Sequence, residues 1–286
     1  MNRRTFLQSS IAAALVADRP AWLAVPVRKI DPIGLQLYTV RFALEKDFEG
    51  TLAKVAAVGY REVEFADYFN HSPKDIRAIL DRHGLTAPSA HVDYNIMEKQ
   101  LPETLEAAQT IDHSYIICPD VEVAQRNQPD GWKRAIALFN RTGETSRKAG
   151  IQFAYHNHEY EFQPAKSLGG KLPYDFLLAE TDPKLVKMEM DLCWITVGGQ
   201  DPLTYFERYP GRFPLVHVKD WKGGKGHAEE QSTRMADVGG GDIDWKRIFA
   251  QSGKAGIRHY LVENDEPKSP FDSIHTSFEY LRELRF

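Results

Sequence analysis

From Ile33 to the end of the chain, short apolar runs alternate with amphipathic stretches. Ile33–Leu37 predicts a strand. Phe48–Val58 carries helical periodicity and closes on Gly59 as a C-cap. Glu62–Phe65 predicts a second strand. Pro73–His83 predicts a helix that starts at Ser72-Pro73 and ends at Gly84. The alternation continues with strands at Leu85–His91, Ser114–Cys118, Ile151–His156, Leu185–Met190, Phe213–Val218 and Arg258–Val262. Between and after them, helices are expected at Pro102–Ile111, Asp130–Ala149, Pro173–Glu180, Asp201–Arg208, Ile243–Gln251 and Pro270–Leu284. Eight strand–helix units without a composition break predict a parallel sheet, and the number eight predicts a closed (β/α)8 TIM barrel. An open doubly wound sheet is disfavoured. Its glycine-rich dinucleotide turn belongs after the first strand, and Leu37-Tyr-Thr-Val-Arg41 stands there instead.

One connection breaks the rhythm. The polar, glycine-rich stretch from Lys222 to Gly241 is too long for an ordinary strand-to-helix loop, and it is expected to overhang the barrel mouth as a lid. Its glycines at 239–241 read more readily as lid residues than as a phosphate nest. The N-terminus is a separate matter. Asn2-Arg3-Arg4-Thr5-Phe6-Leu7-Gln8 matches the twin-arginine export pattern, and the apolar stretch Ser10–Ala17 is too short to span a bilayer. Residues 1–30 are therefore read as signal and linker, residues 31–286 as one barrel domain, and the mature protein as periplasmic. The net charge of −4 and the lack of a basic run argue against a nucleic-acid partner. No transmembrane span is expected. Cys118 and Cys193 sit in apolar surroundings far apart in sequence and are expected as buried free thiols; there is no CxxC pair for a structural zinc.

Four of the strand segments end on metal-grade side chains: Phe153-Ala-Tyr-His156-Asn-His158, Lys187-Met-Glu-Met-Asp191, Pro214-Leu-Val-His217-Val-Lys219-Asp220 and His259-Tyr-Leu-Val-Glu263-Asn264. In a parallel barrel these ends form one rim, where ligands and metals sit. Donors from four strands can converge on one point, whereas four from a single loop rarely can. His156, Asp191, His217 and Glu263 supply two nitrogens and two carboxylates. That set suits one divalent ion of Mn, Zn, Co or Fe, in preference to Mg or calcium.

These segments, with Ile33-Gly-Leu-Gln-Leu-Tyr38 and Gly239-Gly-Gly-Asp-Ile-Asp244, carry a resemblance. From about Ile33 to Phe286 the chain resembles the sugar phosphate isomerase/epimerase superfamily, the xylose-isomerase-like TIM barrels that include the apurinic endonuclease branch. The resemblance implies metal ligands of the kind Glu, Asp, His, Glu at four strand ends. Asp191, His217 and Glu263 match that pattern, while the first position holds His156, as in a subgroup with a Tyr-His-Asn-His signature. Trp194 stands where the endonuclease branch has a further histidine, which argues for a single metal and against phosphodiester hydrolysis.

The departure at His156 bears on chemistry. Epimerases of the superfamily are implied to use one metal-touching carboxylate on each face of a carbon beside a carbonyl. A metal-bound imidazole replaces such a base poorly, because its lone pair is occupied. One base and one acid still suffice for β-elimination, for hydration of a keto-sugar or for a one-face aldose–ketose shuttle. The expected activity is thus a metal-dependent isomerase, epimerase or lyase on a small sugar, keto-sugar or glycoside. The alternatives are a non-catalytic sugar-binding barrel and a metal-assisted hydrolase. Glu263 is the expected proton acceptor, with His158, His91 or Lys219 as proton partner. Lys219 is read either as a lysine whose pKa is depressed by the ion or as a partner of Asp220 or Glu64. Glu64, Gln36, Tyr38 and Trp194 are substrate-binding candidates, and Glu159, Glu161 and Asn264 lie just outside. His113, His227, His259 and His275 are expected to face solvent. A homo-oligomer is left open.

Overall fold

A computed structural model describes residues 28–223 and 234–286. Eight parallel strands close into a barrel: β1 Gly34–Gln36, β2 Glu62–Phe65, β3 Thr86–His91, β4 Tyr115–Cys118, β5 Gln152–His156, β6 Val186–Asp191, β7 Leu215–Val218 and β8 His259–Val262. Each strand pairs with its sequence neighbours, and β8 returns to β1 in the register Gly34↔Leu261 and Leu35↔Val262. The expected (β/α)8 architecture is therefore present, with helices around the barrel. The third strand starts one residue later than expected because Leu85 N–H still bonds to the Leu80 carbonyl and so belongs to the end of the preceding helix. Gly84 makes that ending possible by taking a left-handed conformation at φ +61°.

The period-two pattern of the strands separates two apolar layers. Ile116, Phe153, Tyr155, Val216, Val218, Tyr260 and Val262 join the large core between strands and helices. Tyr115, Ile117, Ala154, Leu215 and Leu261 form a smaller cluster of their own, the plug inside the barrel. Fully burying each of the larger ones contributes about 1.5–3 kcal/mol. Two residues beyond this plug, on the same face of each strand, the sequence changes character. Ala154 is followed by His156, Leu215 by His217 and Leu261 by Glu263. The floor of the site is thus the top of an apolar plug.

Several details differ from the expectation. Tyr94–Lys99 and Leu192–Val197 are additional helices on the rim side, and the helix expected at Ile243–Gln251 is shortened to Trp245–Phe249, with a further short helix at Ser252–Ala255. Two short strands, Asp220–Trp221 and Met235–Ala236, pair antiparallel and bracket most of the long connection after β7. Half of the expected lid, residues 224–233, lies outside the described residues, as do His227 and the twin-arginine pattern. Glycines 239–241 do form an amide cradle, but the chain fills it itself. Gly239 N–H and Gly241 N–H donate to Asp220 Oδ2 at 2.8 and 3.1 Å, and the Trp245 indole N–H donates to the same oxygen at 3.1 Å. A side chain at Gly241 would collide with that carboxylate, and Gly239 has φ +89°.

His113 does not face solvent. It is buried, its Nδ1–H donates to the Ala87 carbonyl at 2.7 Å, and its Nε2 accepts from Tyr68 Oη at 2.9 Å. His259 is half-buried against Glu62, whereas His275 is exposed as expected. Both cysteines are buried and free. Among the described residues no helix is long and apolar enough to cross a membrane.

Candidate metal centre and active site

The Tyr155-His-Asn-His158 segment organises the rim, and each residue has a separate task. Tyr155 Oη donates to the buried Glu161 carboxylate. His156 ends β5 and points inward. Asn157 locks β5 to β6, accepting from Asp191 N–H at 3.2 Å and donating to the Asp191 carbonyl at 3.4 Å. His158 N–H donates to Glu161 Oε2 at 2.9 Å. Burial pushes the Glu161 carboxyl up to about 8, against the lowering effect of the Tyr155 hydrogen bond.

Asp191 ends β6 and caps the next helix at once. Its Oδ1 accepts from Cys193 N–H and Trp194 N–H, both at 2.8 Å. This pins one oxygen and turns Oδ2 toward the barrel axis. Oδ2 is buried and accepts no well-formed hydrogen bond, although Lys219 Nζ lies 3.1 Å away. Around it stand His217 Nδ1 at 3.9 Å and His156 Nε2 at 4.0 Å, while Glu263 Oε2 lies 2.7 Å from His217 Nδ1. Asp191, His217 and Glu263 form one close donor group, with His156 flanking it through Asp191. Two donors that share an ion at about 2.1 Å are at most about 4.2 Å apart. The separations of Asp191 from His217 and His156, and of His217 from Glu263, fit that bound, with His156 outside the close group and reaching it only through Asp191; the buried Asp191 Oδ2 already draws a cation, the Lys219 ammonium. The residues present therefore suit a divalent metal of the nitrogen–oxygen type.

A second group lies on the other side of the same imidazoles. His91, His156, Glu189 and His217 are brought together, with Glu64 beside them. Glu64 is fully enclosed: Gln36 Nε2 donates to its Oε1 at 2.6 Å, Ser89 Oγ donates to its Oε2, and His217 Nε2 is 2.8 Å from Oε1. Burial alone would raise the Glu64 pKa, but His91 and His217 hold it well below the ordinary range. Burial opposes charge on His91 too, yet Glu64 and Glu189 lift it to about 9. Glu189 itself is pushed up by burial and by Glu64.

A cavity of about 250 Å³ opens above, lined by Tyr38, Ala66, His91, Pro119, His156, His158, Lys219, Glu263 and Asp265. Lys219 meets carboxylates on three sides: Glu263 Oε2 at 2.9 Å, Asp265 Oδ1 at 2.9 Å and Asp191 Oδ2 at 3.1 Å. Burial works against its charge, but Asp191, Asp265 and Glu263 outweigh burial and raise its pKa well above the usual lysine value. In this arrangement Lys219 pairs with neither Asp220 nor Glu64 but with Glu263, Asp265 and Asp191. His158 is its counterpart. Its Nδ1 is buried without a hydrogen-bond partner, and burial followed by the Lys219 charge lowers it to about 3.

Of the residues expected at the site, His91, His156, His158, Lys219, Glu263 and Tyr38 line the cavity. Gln36 and Glu64 are spent on one another and on neighbouring protein groups. Trp194 is packed in the rim, with its ring 5.1 Å from Lys219 Nζ. Sequence reasoning missed Glu189 and Asp265. Glu189 had a signal: it stands two residues before Asp191 on one strand, hence on the same face.

The family described as xylose isomerase-like TIM barrel matches residues 52–284. Inosose dehydratase from Lacticaseibacillus casei is 25% identical over 272 residues, covering 83% of this chain and 89% of its relative. Inosose dehydratase from Geobacillus thermodenitrificans is 25% identical over 273 residues, covering 84% and 90%. Among solved structures, a sugar phosphate isomerase/epimerase from Parabacteroides distasonis superposes with a TM-score of 0.71 at 29% identity, covering 87% of this chain and 93% of the other.

Proposed function

The chain belongs to the xylose isomerase-like TIM-barrel family, and from that premise we propose that it is a metal-dependent lyase of the dehydratase type acting on a keto-sugar or keto-polyol. The general activity, a metal-dependent enzyme acting on a sugar, follows from the donor cluster together with the relatives. The choice of lyase is carried by one observation. The cavity wall sets a protonated donor, Lys219, directly against the carboxylate of Glu263, next to a histidine with a bare ring nitrogen, His158, while its second carboxylate, Asp265, is itself paired with Lys219.

His156, Asp191, His217 and Glu263 would hold the ion. Bound there, a divalent metal supplies polarisation of the substrate carbonyl, which acidifies the neighbouring C–H. The protein's own groups do the rest. Glu263 or His158 accepts the proton from that carbon. The Lys219 ammonium gives a proton to the hydroxyl on the next carbon, which departs as water as the C–O bond breaks and the C=C bond forms. Tyr38, in the helical turn Leu37–Val40 just after β1, borders the cavity and positions the sugar. Naming of dehydratases among the relatives supports this reading, and the Tyr-His-Asn-His segment supports placing the chain in the subgroup with that signature. The Asn2–Gln8 pattern supports export to the periplasm, checked by the mass of the mature protein from periplasmic extracts.

The test uses keto-sugars in deuterated water. Wild-type protein should place deuterium at the carbon beside the carbonyl and release water. Glu263→Gln should slow this about 10²–10⁴-fold while retaining ligand binding. Oxygen-18 from water in the product without deuterium on carbon would mean hydrolysis instead, and binding without exchange would mean no catalysis.

A further inference from the structure

Three imidazoles converge on a single carboxylate oxygen. Glu189 Oε2 lies 2.9 Å from His91 Nε2, 3.2 Å from His156 Nδ1 and 3.2 Å from His217 Nε2. Glu64 Oε1 takes a second share, at 2.8 Å from His217 Nε2 and 3.1 Å from His91 Nε2. An ionised carboxylate only accepts hydrogen bonds. The ring nitrogens turned toward this pair therefore carry the hydrogens. On the opposite side His156 Nε2 faces Asp191 and His217 Nδ1 faces Asp191 and Glu263, and these are the nitrogens turned toward the place where an ion would sit.

We propose that Glu189 is the positioning residue of the metal centre: it accepts the N–H groups of both ligand imidazoles and so commits His156 to bind through Nε2 and His217 through Nδ1. The assignment rests on the reading above that His156, Asp191, His217 and Glu263 hold the ion. Glu64 is a weaker candidate for the role, because Gln36 and Ser89 already occupy it and it does not reach His156 among the contacts of the described residues. Glu189 reaches all three rings. It also shares β6 with Asp191, two residues away on the same face. A single strand thus supplies a ligand and, one layer deeper, the group that orients two others. Histidine ligands generally need such a partner for their second nitrogen, and its loss typically costs 10–100-fold in metal affinity.

The test is zinc binding to the full chain, by competition with a chromogenic chelator, for the wild type and Glu189→Gln. The amide keeps the shape but turns one acceptor into a donor. The wild type should bind one equivalent, and Glu189→Gln should bind one equivalent about 10–100-fold more weakly, with its circular dichroism unchanged. In parallel, nitrogen-15 spectra of histidine-labelled, zinc-loaded wild type should show protonated Nδ1 on His156 and protonated Nε2 on His217. The opposite tautomers would overturn the proposal whether or not the variant folds. So would an affinity unchanged in Glu189→Gln, or two equivalents in the wild type that fall to one in the variant, which would make Glu189 a ligand through its spare oxygen. A wild type that binds no zinc, manganese, cobalt or iron would overturn the metal centre itself, and this assignment with it.

Discussion

Glu62 and Glu64 stand on the same strand and the same face, and their surroundings could hardly differ more. Glu62, at the N-terminal end of β2, meets one histidine: His259 Nδ1 lies 2.9 Å from its Oε2, at the partly solvated bottom of the barrel. Glu64, at the other end, is sealed among Gln36, Ser89, His91 and His217. The bottom pair is simple and locally complete. The top accumulates carboxylates and bases beyond what mutual pairing needs, and leaves Asp191 Oδ2, Glu189 Oε1 and His158 Nδ1 buried without hydrogen-bond partners. Buried polar atoms without partners are costly to a fold. Others are scattered through the fold, but only here do three ionisable groups with such atoms gather around one cavity among the described residues, and that gathering marks this end as the working one, as the fold's general architecture requires.

The most forceful way to break this contrast is to remove the metal. Dialysis against a strong chelator should abolish turnover, and returning a divalent ion should restore it. The apo protein should also melt earlier, since ligand at about 100 times its dissociation constant adds about 2.7 kcal/mol to the folded state. Equal melting temperatures with and without chelator, by calorimetry, would undo the contrast.

A smaller effect concerns His113, a histidine outside the site. Burial lowers its pKa to about 4, against the opposing hydrogen bond from its ring to the Ala87 carbonyl. In the unfolded chain it titrates near its ordinary value of about 6.5. Between those values the unfolded state binds more protons, so stability rises with pH. The contribution is fully present above about 6.5 and lost as pH falls toward 4, on the order of 2–3 kcal/mol. Urea unfolding at pH 7 and at pH 4.5 should show this loss, and His113→Gln should flatten it.

The smallest effect is expected at the bottom of the barrel. Glu62→Gln should cost about 1 kcal/mol or less, because the pair is partly solvated. Turnover should stay within about twofold. A collapse of activity in this variant would show that the two ends are coupled, and the division drawn between them would be wrong.

The contrast was partly legible in the chain. The barrel was readable because each strand's period of two meets a helix-period stretch, and because Gly59, Gly84 and Gly150 close helices where the pattern stops. The quartet was readable because each member directly ends an apolar run. Glu189 escaped notice because it lies inside Lys187-Met-Glu-Met-Asp191 rather than at its end, where its one mark is the two-residue step to Asp191. The helix Leu192–Val197 also escaped. Leu-Cys-Trp-Ile-Thr-Val is rich in strand-forming types, and only the capping bonds of Asp191 make it helical. His113 looked solvent-facing because both of its partners, Ala87 and Tyr68, are remote in sequence.

The double grip on Asp191 Oδ1 has a consequence for which ions the barrel would accept. With one oxygen fastened to two backbone amides, this carboxylate is no longer a swivelling pincer and extends a single tooth in a fixed direction. A large ion such as calcium, which collects six to eight oxygens and often takes carboxylates by both, finds too few here. Discrimination by size is thereby written into the start of a short helix.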